Sequence, residues 1–239
     1  MVMSFKFTSN SKIVNAKMSN MVARQTPFAI SRALNESAKT LIKKNKQDMQ
    51  MIFDRPVAFT LNAFFFRFAK KGQTSVKIRR KDKAVGKHYL EVQEDGGLRP
   101  QTGMEKAFAM NLPYSGLLQH LIPTKAAPKN KAGNMSPGFR NKMMSAMQVA
   151  RDPQMRNRSK GKQFFVPAET HPLGQGRRAG VYMRTSAGNA KKMLNFIPNR
   201  ISYTPRLKFE QRMNKYARII YPKKLKAAMR YALATAKLR

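Results

Sequence analysis

Glu91, Glu94 and Asp95 form the one place where the acids of this chain gather, beside His88 and Tyr89. A carboxylate pair for acid–base work or for Mg²⁺ needs two such groups converging. The same three acids serve equally as counter-charge for neighbouring Lys and Arg, or as an intersubunit ion-pair site. His88, His120 and His171 are far apart, with no HxxxH or HExxH spacing, so a metal centre would need distant residues to meet. No G-x-S-x-G nucleophile motif occurs. Gly174-Gln175-Gly176-Arg177-Arg178-Ala179-Gly180 has one residue too many for G-x-G-x-x-G and precedes a strand, where dinucleotide binding needs it to open a helix. A tight turn joining strands suits it better. No phosphate-binding G-x-x-x-x-G-K-[ST] loop is present. The expectation is a non-enzymatic chain, with no catalytic residues, no cofactor and no metal.

The basic clusters carry more. They are Arg79, Arg80, Lys81 and Lys83; Arg156, Arg158, Lys160 and Lys162; Arg177 and Arg178; and Lys191 and Lys192. Each falls at a predicted loop or strand end, suited to DNA phosphates or an acidic partner. Contact with phosphates is independent of base sequence and weakens as salt rises, because counterions are released. No zinc finger, helix-turn-helix or RNP-like aromatic strand is evident, so base readout is not expected. Taken singly, any one such cluster is accounted for as ordinary solvated surface. A total of 48 Lys and Arg against 11 Asp and Glu, a net charge of +37, is not. Such an excess repels itself in a compact monomer and calls for an anionic or acidic partner.

The elements that must position these residues follow from hydrophobic period and turn chemistry. With 42% apolar residues, 239 residues can build a core. Many apolar positions are Met, 17 in all, which pack adaptably. There is no Cys, which excludes disulfides and thiolate zinc sites. The first residues lack the apolar run of a secretory signal, and no stretch approaches the length of a membrane span.

Thr26-Pro27 reads as N-cap and first residue of a helix carrying Ile30, Leu34, Ala38, Leu41, Met49 and Ile52, ending near Asp54-Arg55-Pro56. Residues 57–68 read as extended, 74–79 as a strand and 89–93 as a strand or turn ended by Gly96-Gly97. Short helices are expected near 104–110 and 115–121. Residues 123–163 hold ten basic residues and one acid and read as a Pro/Gly-rich basic insertion with a helix capped by Ser136-Pro137. Strands follow near 164–166, 180–184 and 193–197. Thr204-Pro205 opens a last helix that Pro222 ends or kinks.

The fold class expected is α+β. A small antiparallel sheet, from segments near 74–79, 163–166, 180–185 and 193–197, packs against long first and last helices. Residues 1–122 and 164–239 form one domain, and 123–163 is inserted in it.

Four stretches carry a family resemblance: Gln25 to Asn35, Phe53 to Asn62, Tyr89 to Gln93 with Gly96, Gly97 and Glu105, and Tyr221 to Leu225 through Ala234. In order and spacing they resemble the minor tail protein Z family of tail completion proteins from tailed double-stranded-DNA bacteriophages. The resemblance implies a structural subunit of the virion neck or upper tail, made in the host cytoplasm. It would form a ring of this chain with itself, a hexamer being the guess. Its partners would be the head–tail connector and tail tube proteins, with genomic DNA met through its backbone. The composition alone also suits a nucleic-acid-binding protein without sequence preference, of ribosomal or nucleoid type.

Overall fold

The computed structural model describes residues 20–81, 89–112, 114, 116–150, 152, 154, 156, 163–167, 179–185 and 188–235. Helices and small antiparallel sheets make it α+β, with a long helix near each end of the chain. It forms two compact units. The first comprises residues 1–95 and 205–239, and the second residues 96–204.

The first unit is built on α1 (Asn20–Ile52) and α6 (Phe209–Ala234). They run antiparallel. Ala29 and Ala33 pack with Ala228 and Ala232, while Asp48 near the other end meets Arg212 and Tyr216. The small side chains let the two backbones approach, and the Arg32 guanidinium sits 3.8 Å over the Tyr231 ring. Beside the pair lie α2 (Ala58–Leu61) and a two-stranded ribbon of β1 (Phe64–Phe66) and β2 (Ile78–Arg80). Next comes α3 (Tyr89–Asp95). Leu34, Leu41, Met49, Phe64, Ile78, Leu90, Phe209 and Met213 form the core, with Phe64 and Phe209 stacked at 4.3 Å.

In the second unit, β3 (Gly97–Leu98) pairs with β8 (Ser202–Tyr203). A four-stranded antiparallel sheet runs β4 (His120–Pro123), β7 (Ala190–Ile197), β6 (Gly180–Arg184), β5 (Phe164–Phe165). Two helices, α4 (Gly103–Asn111) and α5 (Pro137–Ala146), complete it. Phe108 of α4 and Met143 of α5 share one core with Phe164, Val181, Met193, Leu194 and Phe196 of the sheet.

Several expectations are corrected. The helix expected from Thr26 begins at Asn20 and keeps Pro27 inside it; the Thr-Pro pair imitates a helix start, which the continuing helix overrides. The last helix starts at Phe209, not Thr204, and passes through Pro222. Its start is set from afar. The Gln93 carbonyl accepts the N–H groups of Arg206 and Leu207, and the Glu94 carboxylate accepts from Phe209 N at 2.7 Å and Glu210 N at 3.4 Å. A carboxylate at a helix N-terminus satisfies orphan donors and opposes the positive end of the dipole. Glu94 therefore has a structural use.

Residues 89–93 are helical, their Leu90/Val92 alternation notwithstanding. The helix stops where Gly96 and Gly97 take left-handed φ of 76° and 95°. The segment near 115–121 gives β4, an edge strand that tolerates Pro123 at its end. The 74–79 segment does not join the four-stranded sheet; Ile78–Arg80 pairs with Phe64–Phe66 instead, and His120–Pro123 takes the edge of that sheet. The four-stranded sheet shares its core with α4 and α5. Nor do the units part at residues 122 and 164. Ala127, Met143 and Val149 lie in the sheet's own core, so the polar loops of 123–163 surround a segment that supplies apolar side chains.

Candidate functional site

Of the expected contact residues, Arg79, Arg80 and Lys81 lie in the first unit, and Arg156, Lys191 and Lys192 in the second. Lys83, Arg158, Lys160, Lys162, Arg177 and Arg178 lie outside the described residues, as do His88, His171 and the turn Gly174–Gly176. Arg79 and Lys81 are exposed and Arg80 half-buried; the three are consecutive, at the end of β2. Lys191 is exposed on β7, and the neighbouring Lys192 holds its ammonium 5.6 Å over the Tyr182 ring. Arg156 is engaged within its own unit. Its Nε donates to the Ala150 carbonyl at 3.0 Å and its Nη2 to Asn111 Oδ1 at 3.2 Å, tying this segment to the end of α4.

Arg79 belongs to a larger arrangement that the sequence clusters do not include. A cleft of about 410 Å³ opens in the first unit, lined by Phe65, Phe68, Arg67, Lys70, Lys77 and Arg79 among others. All four cations are exposed, and no carboxylate among the described residues is paired with any of them. The wall between β1 and β2 is pinned. Asn35 of α1 donates to the Ala69 carbonyl at 3.0 Å, and its Oδ1 accepts the Ala69 N–H at 2.7 Å. Beyond it the chain turns, with Gln73 Oε1 accepting Lys70 N at 2.7 Å, Gln73 N donating to Lys70 O at 3.0 Å, and Gly72 at φ +88°. Phe68 leans on Phe66, ring centroids 5.0 Å apart, yet stays 63% exposed. The run Phe64-Phe65-Phe66-Arg67-Phe68-Ala69-Lys70-Lys71 carried the signal. Its phenylalanines are followed by Arg67, Lys70 and Lys71, but an apolar run of phenylalanines reads first as core.

The second unit holds a buried ionic cluster that the spacing of the histidines did not announce. Thr102 caps α4 in a capping box with Glu105: the Thr102 hydroxyl accepts Glu105 N, and the Glu105 carboxylate accepts Thr102 N at 2.7 Å. Glu105 also accepts Leu121 N at 2.9 Å and pairs with the Arg99 guanidinium. Arg99 Nη2 stands 2.8 Å from His120 Nδ1. A guanidinium only donates, so Nδ1 is the acceptor in this contact. Burial pushes the Glu105 carboxyl up. The hydrogen bonds from Thr102 N, the Arg99 guanidinium and Leu121 N outweigh it and hold the group below its ordinary value. Glu105 and His120 are almost fully buried, at 2% and 1% exposure.

A second cleft, of about 890 Å³, lies in this unit between Gly103 and Met104 of α4, Arg140 and Met144 of α5, Ala150 and Asp152. The Asp152 carboxylate in it accepts the Gln154 N–H at 2.9 Å. Among the described residues no three His, Asp or Glu side chains gather as a metal site. No described helix is long and apolar enough to cross a membrane.

Several of the few described acids bond within their own unit, while Asp95 and Glu210 stay exposed. Glu105, Glu94 and Asp48 hold the fold, while Glu36 pairs with Lys39 and Asp54 with Arg55. The cationic excess is left for the surface. No protein-family model, no curated protein and no solved structure matches this chain.

Proposed function

We propose that the chain is a structural subunit of a tailed double-stranded-DNA bacteriophage, a tail completion or neck protein that works in a ring between the tail and the head connector. The observation that carries this reading is the net charge of +37 on a folded chain in which several of the few acids, Glu94 and Glu105 among them, are engaged within its own structure. Copies closing on themselves need an outside anion to offset that repulsion, and a DNA conduit or acidic ring neighbours supply it. The four stretches resembling the minor tail protein Z family support the same reading. Exposed Arg79, Lys81 and Lys191 are the described members of the expected clusters that are open to such a neighbour.

The test is electron microscopy and quantitative mass spectrometry of phage particles assembled with this chain. The expected result is a ring-forming copy number at the head-proximal end of the tail. Changing Arg79, Lys81 and Lys191 together to Ser should leave the melting curve nearly unaltered, as surface changes do, and lower the yield of infectious particles. A chain absent from particles and found instead on ribosomes or the nucleoid refutes the proposal.

A further inference from the structure

We infer that the cleft lined by β1, β2 and the loop joining them is a binding site for single-stranded nucleic acid, in which Phe68 is a platform for one base and Arg67, Lys70, Lys77 and Arg79 hold the adjoining phosphates. Three observations converge on it. The four cations line one cleft and carry no paired carboxylate among the described residues. An aromatic ring stands in the same cleft, 63% exposed, where burying it would have been favourable. The loop bearing it is fixed, by the Asn35 clamp on Ala69 and by Phe66 beneath the ring, so the platform is held before any ligand arrives.

Cations alone would serve a duplex, whose bases are stacked on each other and whose outer surface is phosphate. An exposed ring set among cations serves a strand whose bases are free to stack on protein, an interaction that tolerates any base. The cleft volume of about 410 Å³ falls in the range of sites that take a small molecule, a size suited to one splayed nucleotide. Lys39, paired with Glu36, adds its ammonium 5.7 Å from the Phe68 centroid. An acidic peptide would satisfy the four cations and leave the ring without a purpose. The inference does not depend on a place in a virion.

The experiment is fluorescence anisotropy with the full chain at about 150 mM salt, near physiological screening. The probes are a labelled oligo-dT of about twelve nucleotides, in the range of single-strand sites, a mixed duplex of equal length, and a polyglutamate peptide. The oligo-dT should bind more tightly than the duplex. Phe68→Ala should weaken oligo-dT binding about tenfold, the effect of one stacked base, and leave duplex binding within about twofold. Phe68→Trp should preserve it. Arg67→Ser with Lys77→Ser should lower the slope of log affinity against log salt by about 1.4, two single-strand phosphates' worth.

Unchanged oligo-dT binding by Phe68→Ala overturns the proposal. So does preferred binding of the duplex, or polyglutamate bound as tightly as oligo-dT and equally sensitive to Phe68. If Phe68→Ala fails to fold, photocrosslinking the wild-type chain to a bromouracil-bearing strand decides. An adduct on Phe68 supports the site, and adducts elsewhere only overturn it.

Discussion

Changing Glu105 to Ala should destabilise residues 96–204 by about 3–5 kcal/mol, the cost of removing one partner from a buried ion pair. The carboxylate receives Thr102 N, Leu121 N and the Arg99 guanidinium at once. Its loss leaves a guanidinium only 22% exposed without its counter-charge, and the Thr102 and Leu121 N–H groups without their acceptor. In a unit of this size the melting temperature should fall on the order of 15–25 °C. Hydrogen exchange resolved by peptide should place the opening in residues 96–204 and leave α1 and α6 protected. Glu105→Gln should lose less, since a glutamine still closes a capping box.

The same contacts give the pH dependence its sign. The folded state favours the charged carboxyl, so the stabilisation is fully present above the ordinary carboxyl range. It fades as pH falls through the lower folded value. Wild-type protein should therefore lose stability in acid more steeply than the Glu105→Gln variant. Parallel curves for the two would show that the cluster does not bind its proton as described.

Changing Gly180 to Ala should be comparably severe, at or above about 3 kcal/mol, the upper range for overpacking. Gly180 begins β6 opposite Asn195, next to a bulge at Val181/Tyr182. A Cβ there would lie 2.1 Å from the Leu194 carbonyl oxygen and 2.4 Å from Lys192 Cε. The lysine can swing aside, but the carbonyl belongs to the central strand β7 and cannot. Val181 and Leu194 beside it are fully buried, so separating β6 from β7 opens the core. Gly138 is the control. It lies in the first turn of α5 with nothing within 4 Å of its would-be Cβ. Gly138→Ala should stabilise by a few tenths up to about 1 kcal/mol, the helix preference of Ala over Gly. Chemical denaturation of both variants checks the pair. A Gly180→Ala protein as stable as wild type would mean that the strands are not packed this closely.

What the sequence disclosed and what it hid differ in the range of the interaction. Ser136-Pro137 opens α5 because the cap lies within the segment itself: Ser136 Oγ accepts Phe139 N at 3.4 Å and Pro137 needs no donor partner. The end of α1 near Asp54 and the strands at 164, 180 and 193 are likewise local in origin. The start of α6 was not legible, because its acceptor is Glu94, more than a hundred residues earlier. Thr204-Pro205 offered a nearer and false start.

Pairing was hidden for the same reason. Nothing within residues 74–79 states that the ladder partner is the phenylalanine run at 64–66 rather than the strands after 160. At the candidate sites, runs of like charge were visible and mixed ones were not. Arg79 was found through its neighbours Arg80 and Lys81, whereas Arg67, Phe68, Lys70 and Lys77 meet only when β1 and β2 pair. His120 was noted as a lone histidine; its company, Arg99 and Glu105, gathers through α4 and β4.

Residues 96–204 depart from the chain and return to it at neighbouring points. Gln93 O receives the amides of Arg206 and Leu207 at 2.8 Å each, and Gly97 and Leu98 lie in register with Tyr203 and Ser202. Strand partners are close enough for a hairpin turn to join them. A short glycine bridge from Asp95 to Pro205 can therefore replace the whole intervening segment while the contacts between α1 and α6 stay in place. Recombination can treat that segment as a cassette, exchanged or lost in one event without rethreading the helices that carry it.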